Sequence, residues 1–290
     1  MNSSTLHLPA AAVRAVQDHS TRHANVAPRG PQEIACGTLS GEQRFAISVV
    51  PGGAQRAHAA QLLQRMYAHR GYLGVQLPPE GARHAVTLVA HENEQTVGTL
   101  TVGFEQQGRL LADELFAEEI DRLRDAGHRV CEFTKLAMDP MLSSKRVLAG
   151  IFHVAYLCAH RVEGQDRLVV EVNPRHVAFY RRLLGFAPLG PERWNRRVDA
   201  PAVLLGLDLT HARREIARVG GQPERAAVER SLYPHFFAAS QEPAMATRLA
   251  NARGERQAVA HQGFWSSVLE PLEDAFEALV PGHGVRSATV

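Results

Sequence analysis

Residues 173–186 read NPRHVAFYRRLLGF. The apolar run Leu168 to Val172 before them reads as a strand, which Asn173-Pro174 ends. His176 to Leu184 then has helical spacing and stops at Gly185, a residue free to take the left-handed conformation at a helix end. Strand, Asn-Pro corner, short helix and a Gly-Phe exit toward a further strand, Ala202 to Leu209, form the pattern of a sheet covered by helices.

The chain before this corner continues the pattern. Phe45 to Val50 is a β-type run, Pro51-Gly52-Gly53 a turn, and Ala54 to His69 a helix. Ala85 to His91 and Thr96 to Phe104 form a hairpin across the polar Glu92 to Gln95. Leu115 to Asp125 is a helix stopped by Gly127, Val130 to Met138 a strand, and Ser144 to Arg161 a mostly apolar helix. This order predicts an α/β fold over residues 44–209, a mixed sheet with helices on both faces. Residues 1–43 are rich in Ala, Ser, Pro, Gly and His, with a short helical run at Ala10 to Val16 and breakers at Pro28, Gly30 and Pro31. They read as a disordered N-terminal arm. Residues 210–290 read as a helical C-terminal appendage, with segments around Thr210 to Val219, Glu224 to Leu232, Pro243 to Ala250 and Phe264 to Leu279.

Composition narrows the function. A chain of 290 residues with 45% hydrophobic and 21% charged side chains can bury a large core, which excludes a wholly disordered protein. A net charge of +2 is too balanced for chain-wide attraction to nucleic acid, so no nucleic-acid partner is expected. The start lacks a charged segment followed by an apolar one, and Val147 to Ala159 is too short to span a bilayer. The reading is a cytoplasmic protein with no integral membrane segment. Cys36, Cys131 and Cys158 show neither metal nor disulfide spacing, and the dispersed histidines, such as His153 with His160 or His58 with His69, lack a third ligand. No metal site is expected.

Asn173, Tyr180, Gly185 and Phe186 resemble the Asn, Tyr and Gly-Phe pattern of the acyl-CoA-dependent N-acyltransferase (GNAT) superfamily, with Leu184 lengthening the Tyr-to-Gly spacing by one residue. Upstream, Gly98 to Asp139 is similar to the middle of the acyl-homoserine-lactone synthases and their relatives, the N-acyl amino acid synthases. The matching points are Arg109-Leu110-Leu111, Phe116 and the run Glu132-Phe-Thr-Lys-Leu-Ala-Met-Asp139. Thr101 stands where the lactone synthases carry an Arg, which points away from lactone formation and toward acylation of an amino acid or other amine. The resemblance covers residues 44–209 at best. It implies a GNAT-like fold, no bound cofactor, and an acyl-phosphopantetheine donor on an acyl carrier protein, or on coenzyme A as the superfamily more widely uses.

The residues suggest roles within that chemistry. An amine must lose a proton to attack a thioester, and Glu132 is the candidate general base; the competing reading pairs it with a neighbouring Arg. Tyr180 is the candidate acid for the departing thiolate. Strand alternation puts Glu132 and Lys135 on opposite faces unless a bulge intervenes. Between Asp139 and Leu148 the glycines that would cradle a pyrophosphate are absent. Ser143, Ser144, Lys145 and Arg146 stand there, suited to one phosphate at a helix N-terminus, where either Ser also serves simply as a cap. Met138 and Asn173 complete the expected acyl-donor site, and the resemblance to the synthases places Arg70, Asp113, Glu114 and Lys135 beside the acceptor and the acyl entrance, while Gly71 ending the helix would leave Arg70 as a charge on its dipole. Arg175, Arg181, Arg182, Arg193, Arg196 and Arg197 form either a docking face for an acidic carrier or a solvated surface. Two other readings stay open: an acetyl-CoA-dependent small-molecule N-acetyltransferase, and a catalytically silent binding module.

Overall fold

The computed structural model describes residues 32–39, 44–50, 52–93, 95–142 and 144–255. Its strands are β1 (Glu33–Thr38), β2 (Arg44–Val49), β3 (Ala85–Glu92), β4 (Gln95–Gly103), β5 (Val130–Met138), β6 (Arg167–Val172), β7 (Ala187–Pro188), β8 (Arg193–Asn195) and β9 (Ala200–Asp208). They form one sheet in the order β1-β2-β3-β4-β5-β6-β9-β7, with β8 paired to β9. Neighbours run antiparallel except β5 and β6, which are parallel. The helices are α1 (Gly53–Ala68), α2 (Asp113–Asp125), α3 (Lys145–Tyr156), α4 (Val177–Leu184), α5 (Leu209–Val219), α6 (Ala226–Glu229) and α7 (residues 242–255).

Strand alternation divides the core between the two faces. In β5, Val130 packs toward α2 with Phe116 and Ile120, while Cys131 and Phe133 pack toward α3. α1 buries Leu62, Leu63 and Met66 against Val89 and Ala137, on the face that α2 shares. α3 is apolar around most of its circumference because the chain after β9 covers its outer side, where Leu232, Tyr233, Phe236, Met245 and Leu249 join its core. Ser144 caps it by accepting from the Val147 N–H at 3.3 Å, and it continues through π-helical turns at Leu157–Val162. Gly185 has φ 81°, the left-handed helix end its position predicts.

Two expectations need correction. Glu33–Thr38, assigned to the arm, is a sheet strand: Ile34 and Ala35 are buried beside β2, and a bulge between Glu33 and Ala35 breaks the alternation that would reveal it. Glu224 to Leu232 is not one helix, since after Pro223–Arg225 and the single turn of α6 the left-handed Arg230, φ 52°, reverses the chain. The helices expected at Ala10 to Val16 and Phe264 to Leu279, and the role expected of Ser143, lie outside the described residues. No helix among the described residues is long and apolar enough to cross a membrane.

Candidate active site

The parallel pair at the centre of the sheet comes apart. β5 and β6 pair only from Val130/Arg167 to Glu132/Val169, and beyond Glu132 they diverge into a cleft. On its other edge β5 carries a bulge: β4 advances two residues from Thr99 to Thr101 while β5 spans three, from Ala137 back to Thr134. Lys135 takes φ 53°, and its carbonyl accepts from Thr99 Oγ1 at 3.0 Å. A non-glycine residue held there costs on the order of 1–3 kcal/mol, a strain concentrated at functional sites. The bulge changes the parity of the strand, so Glu132 and Lys135 both line one cavity of about 580 Å³.

The cavity passes between the two strands and has unlike walls. Leu100, Phe133, Leu148, Phe152, Phe179 and Tyr180 form an apolar wall on the α3 and α4 side. Toward α2 lie Glu132, Glu171, Asn195 and Arg197, with Arg70 and Tyr72 at the end of α1.

Glu132 sits at the apex of the cleft and is only 6% exposed. Its Oε1 accepts from the Leu111 N–H and its Oε2 from the Ala112 N–H, both at 3.0 Å, just before the first turn of α2. The carboxylate is therefore anchored by backbone donors and not by an arginine. Gly103, its cross-strand partner, makes room: a Cβ there would lie 2.8 Å from Glu132 Cγ and 2.9 Å from Oε1. Burial pushes the Glu132 carboxyl up; the two N–H bonds and Lys135 oppose this, and Glu171 adds to it. Burial also brings the Lys135 ammonium down, against the attraction of Glu132. A buried carboxylate with a raised affinity for protons, open to a cavity, suits a general base.

Glu171 and Asn195 join the site without a role expected from sequence, and Arg197 joins it in place of the docking face or solvated surface expected of it. Glu171 accepts from Asn195 Nδ2 and from Arg197 Nη2, the latter at 2.9 Å, and burial pushes its carboxyl up. Glu171 is the lone charge in the otherwise apolar run Leu168 to Val172, and that is the signal the sequence carries. Arg197 also reaches Glu114 Oε2 at 3.2 Å, so it belongs to the site wall and not to a free docking face. Arg193 is likewise engaged, bridging Glu119 at 2.7 Å, whereas Arg175, Arg181, Arg182 and Arg196 are exposed.

Tyr180 lies on the apolar wall, edge-on to Phe152, Phe179 and Phe186 at 6.3, 5.1 and 5.3 Å. Burial, with Tyr67 nearby, pushes its phenol well above the ordinary value, so the group holds its proton at neutral pH and yields it less readily than a free tyrosine does. Asn173 Oδ1 caps the turn after β6 by accepting from the Arg175 N–H. Its amide donates to Pro201 O at 3.3 Å and Tyr72 Oη at 3.5 Å. Met138, Lys135 and Arg70 line the cavity.

Asp113 does not line it. Its buried carboxylate takes both terminal nitrogens of Arg124 at 2.7 Å and the Leu110 N–H at 2.6 Å, locking the start of α2. Burial raises its carboxyl, but these donors outweigh burial and hold it below the usual range. Glu114, paired to Arg197, and Ser144, Lys145 and Arg146, at the N-terminus of α3, also stand outside the cavity lining. Among the described residues no group of three His, Cys, Asp or Glu side chains could hold a metal.

A mixed sheet split at its parallel pair, with a bulged strand and a carboxylate at the apex, is the architecture of a GNAT-class N-acyltransferase. Within that class the chain belongs to the N-acyl amino acid synthase FeeM family, whose model matches residues 58–208, just over half of the chain. The structure of FeeM, an N-acyl amino acid synthase from uncultured soil microbes, is similar at 24% identity and TM-score 0.52, covering 61% of this chain and 96% of that one. The acyl-homoserine-lactone synthase LasI is similar at 13% identity and TM-score 0.41, covering 60% and 91%. No curated protein matches the chain.

Proposed function

We propose that this acyltransferase moves a fatty acyl chain from the phosphopantetheine thioester of an acyl carrier protein to the amine of an amino acid or similar small molecule. The observation that carries this reading is the anchored, buried carboxylate of Glu132 at the apex, joined to an apolar wall spacious enough for an alkyl chain. The amine nitrogen bonds to the thioester carbonyl carbon, and Glu132 takes the proton the amine sheds. As the tetrahedral intermediate collapses, the carbon–sulfur bond breaks, and Tyr180 supplies the proton that leaves a neutral thiol. Beyond Glu132 the facing edges of β5 and β6 are unpaired, so an extended amide-bearing arm lying between them finds backbone partners.

The carrier protein is favoured over coenzyme A by the α3 N-terminus. There Ser144 caps the helix with Lys145 and Arg146 in its first turn, and no glycine precedes Gly150 after the loop begins at Asp139. One phosphate suits this arrangement, and a close backbone cradle for a pyrophosphate does not. A thiol-release assay comparing the same acyl group on both donors tests the choice. Higher kcat/KM with carrier protein is expected, and equal or better turnover with acyl-CoA would overturn it.

A further inference from the structure

The apolar wall of the cavity ends on a helix that the C-terminal segment locks from behind. α3 contributes Leu148 and Phe152, one turn apart on the same stripe, while Tyr156, the next turn along, is not part of the lining. Across from it β5 contributes Phe133 but not Cys131. The Phe152 ring, 3% exposed, stands 6.3 Å from the rings of both Phe133 and Tyr180, so these aromatics close the inner end of the apolar wall.

One residue on, about 100° around α3, His153 is wholly buried and stacks on Phe236 at 5.1 Å. Its Nδ1 accepts from the Phe237 N–H at 3.1 Å, which leaves the Nε2 proton facing Glu242 Oε1 at 3.3 Å. Glu242 opens α7, whose Met245 and Leu249 enter the same core. Gly150 is packed so closely that a Cβ there would lie 2.9 Å from both Ile47 Cδ1 and the Phe45 ring. α3 therefore has little freedom to yield when something presses on Phe152 from the cavity.

We propose that Phe152 is the stop that sets the longest acyl chain this enzyme accepts, and that His153 holds it in place through the C-terminal segment. The inference rests on the acyl-transfer reading above. A chain that ends short of the Phe152 ring fits, and a longer one must displace a clamped helix. Removing the ring opens apolar space beyond it, where each newly seated methylene contributes about 0.8 kcal/mol, roughly fourfold in kcat/KM.

The test uses the full chain and a straight-chain series from butanoyl to hexadecanoyl, offered on both acyl carrier protein and coenzyme A. Phe152→Leu and Phe152→Ala should move the optimum to longer chains, with the longest acyl groups gaining about fourfold per added methylene that fits. Leu148→Phe should move the optimum the other way. His153→Gln, which touches no substrate, should flatten the profile. Melting curves identify variants that fold; if Phe152→Ala does not, the leucine variant and Leu148→Phe carry the test. An unchanged order of chain preference in folded Phe152→Leu and Leu148→Phe would overturn the stop, and an unchanged profile in folded His153→Gln would overturn the clamp. A wild-type chain that turns over no thioester of any length would instead remove the acyl-transfer reading itself.

Discussion

Replacing Glu132 with Gln keeps the side chain's volume at the apex but removes its capacity to accept a proton. Loss of a general base lowers kcat by about 10²- to 10⁴-fold, and the deficit should shrink as pH rises, because more of the amine is then already neutral. The same change disturbs the anchor. Gln offers one carbonyl oxygen where Glu132 offers two, so either the Leu111 or the Ala112 N–H meets the amide NH2, at a cost of roughly 1–3 kcal/mol. In a chain of this size that amounts to several degrees in melting temperature.

Stability should also change with pH in a definite direction. Because burial raises the Glu132 carboxyl, the folded state holds that proton more tightly than the unfolded chain does. This carboxyl's contribution to wild-type stability therefore falls as pH climbs from the ordinary glutamate range through its raised value, whereas the uncharged amide of E132Q is indifferent. The melting-temperature gap between wild type and variant should narrow over that window. A pH–rate profile beside melting curves at the same pH values reads both effects. Normal activity of folded E132Q across the profile would refute the general-base assignment.

Tyr180→Phe keeps the ring contacts and should lower kcat roughly a hundredfold without lowering the melting temperature; full activity would give the acid role to another group or to water. Gly103→Ala adds a Cβ that overlaps Glu132, so kcat should fall while circular dichroism is retained, and unchanged turnover would show that the carboxylate need not sit as observed. Asp113→Asn should destabilise the chain by about 1–3 kcal/mol with normal kcat in the folded fraction, since it weakens the bonds to Arg124 and the Leu110 N–H while Arg124 keeps Glu105 and Asp121; a raised KM at wild-type stability would return Asp113 to the substrate. Lys145→Glu with Arg146→Glu should weaken carrier binding and reduce its salt dependence, and unchanged affinity at low ionic strength would refute docking at the α3 N-terminus.

Val130–Met138 was legible to the residue because β-branched and aromatic side chains run between Gly127 and Pro140, and α3 was legible because its apolar run is long. The bulge within β5 was not. It depends on Lys135 taking a left-handed conformation, and neither glycine nor asparagine marks that position. Glu132 is legible as a candidate, but its anchors are not, since backbone N–H groups at Leu111 and Ala112 leave no trace in side-chain identity. The pairing of Asp113 with Arg124 is not legible, because the two lie about three helical turns apart on α2. Arg197 and Glu171 meet only after β6, β8 and β9 are assembled, so their pairing is a long-range product of the fold.

The central claim is transfer of an acyl group to an amine at the Glu132 apex. The direct measurement incubates the full chain with acyl-loaded carrier protein and a mixture of amino acids, then quantifies free thiol and amide product by mass spectrometry. One N-acyl product formed per thiol released, with both lost together in E132Q, is the predicted result. Thiol release without any amide, or amide formation undiminished in E132Q, would contradict it.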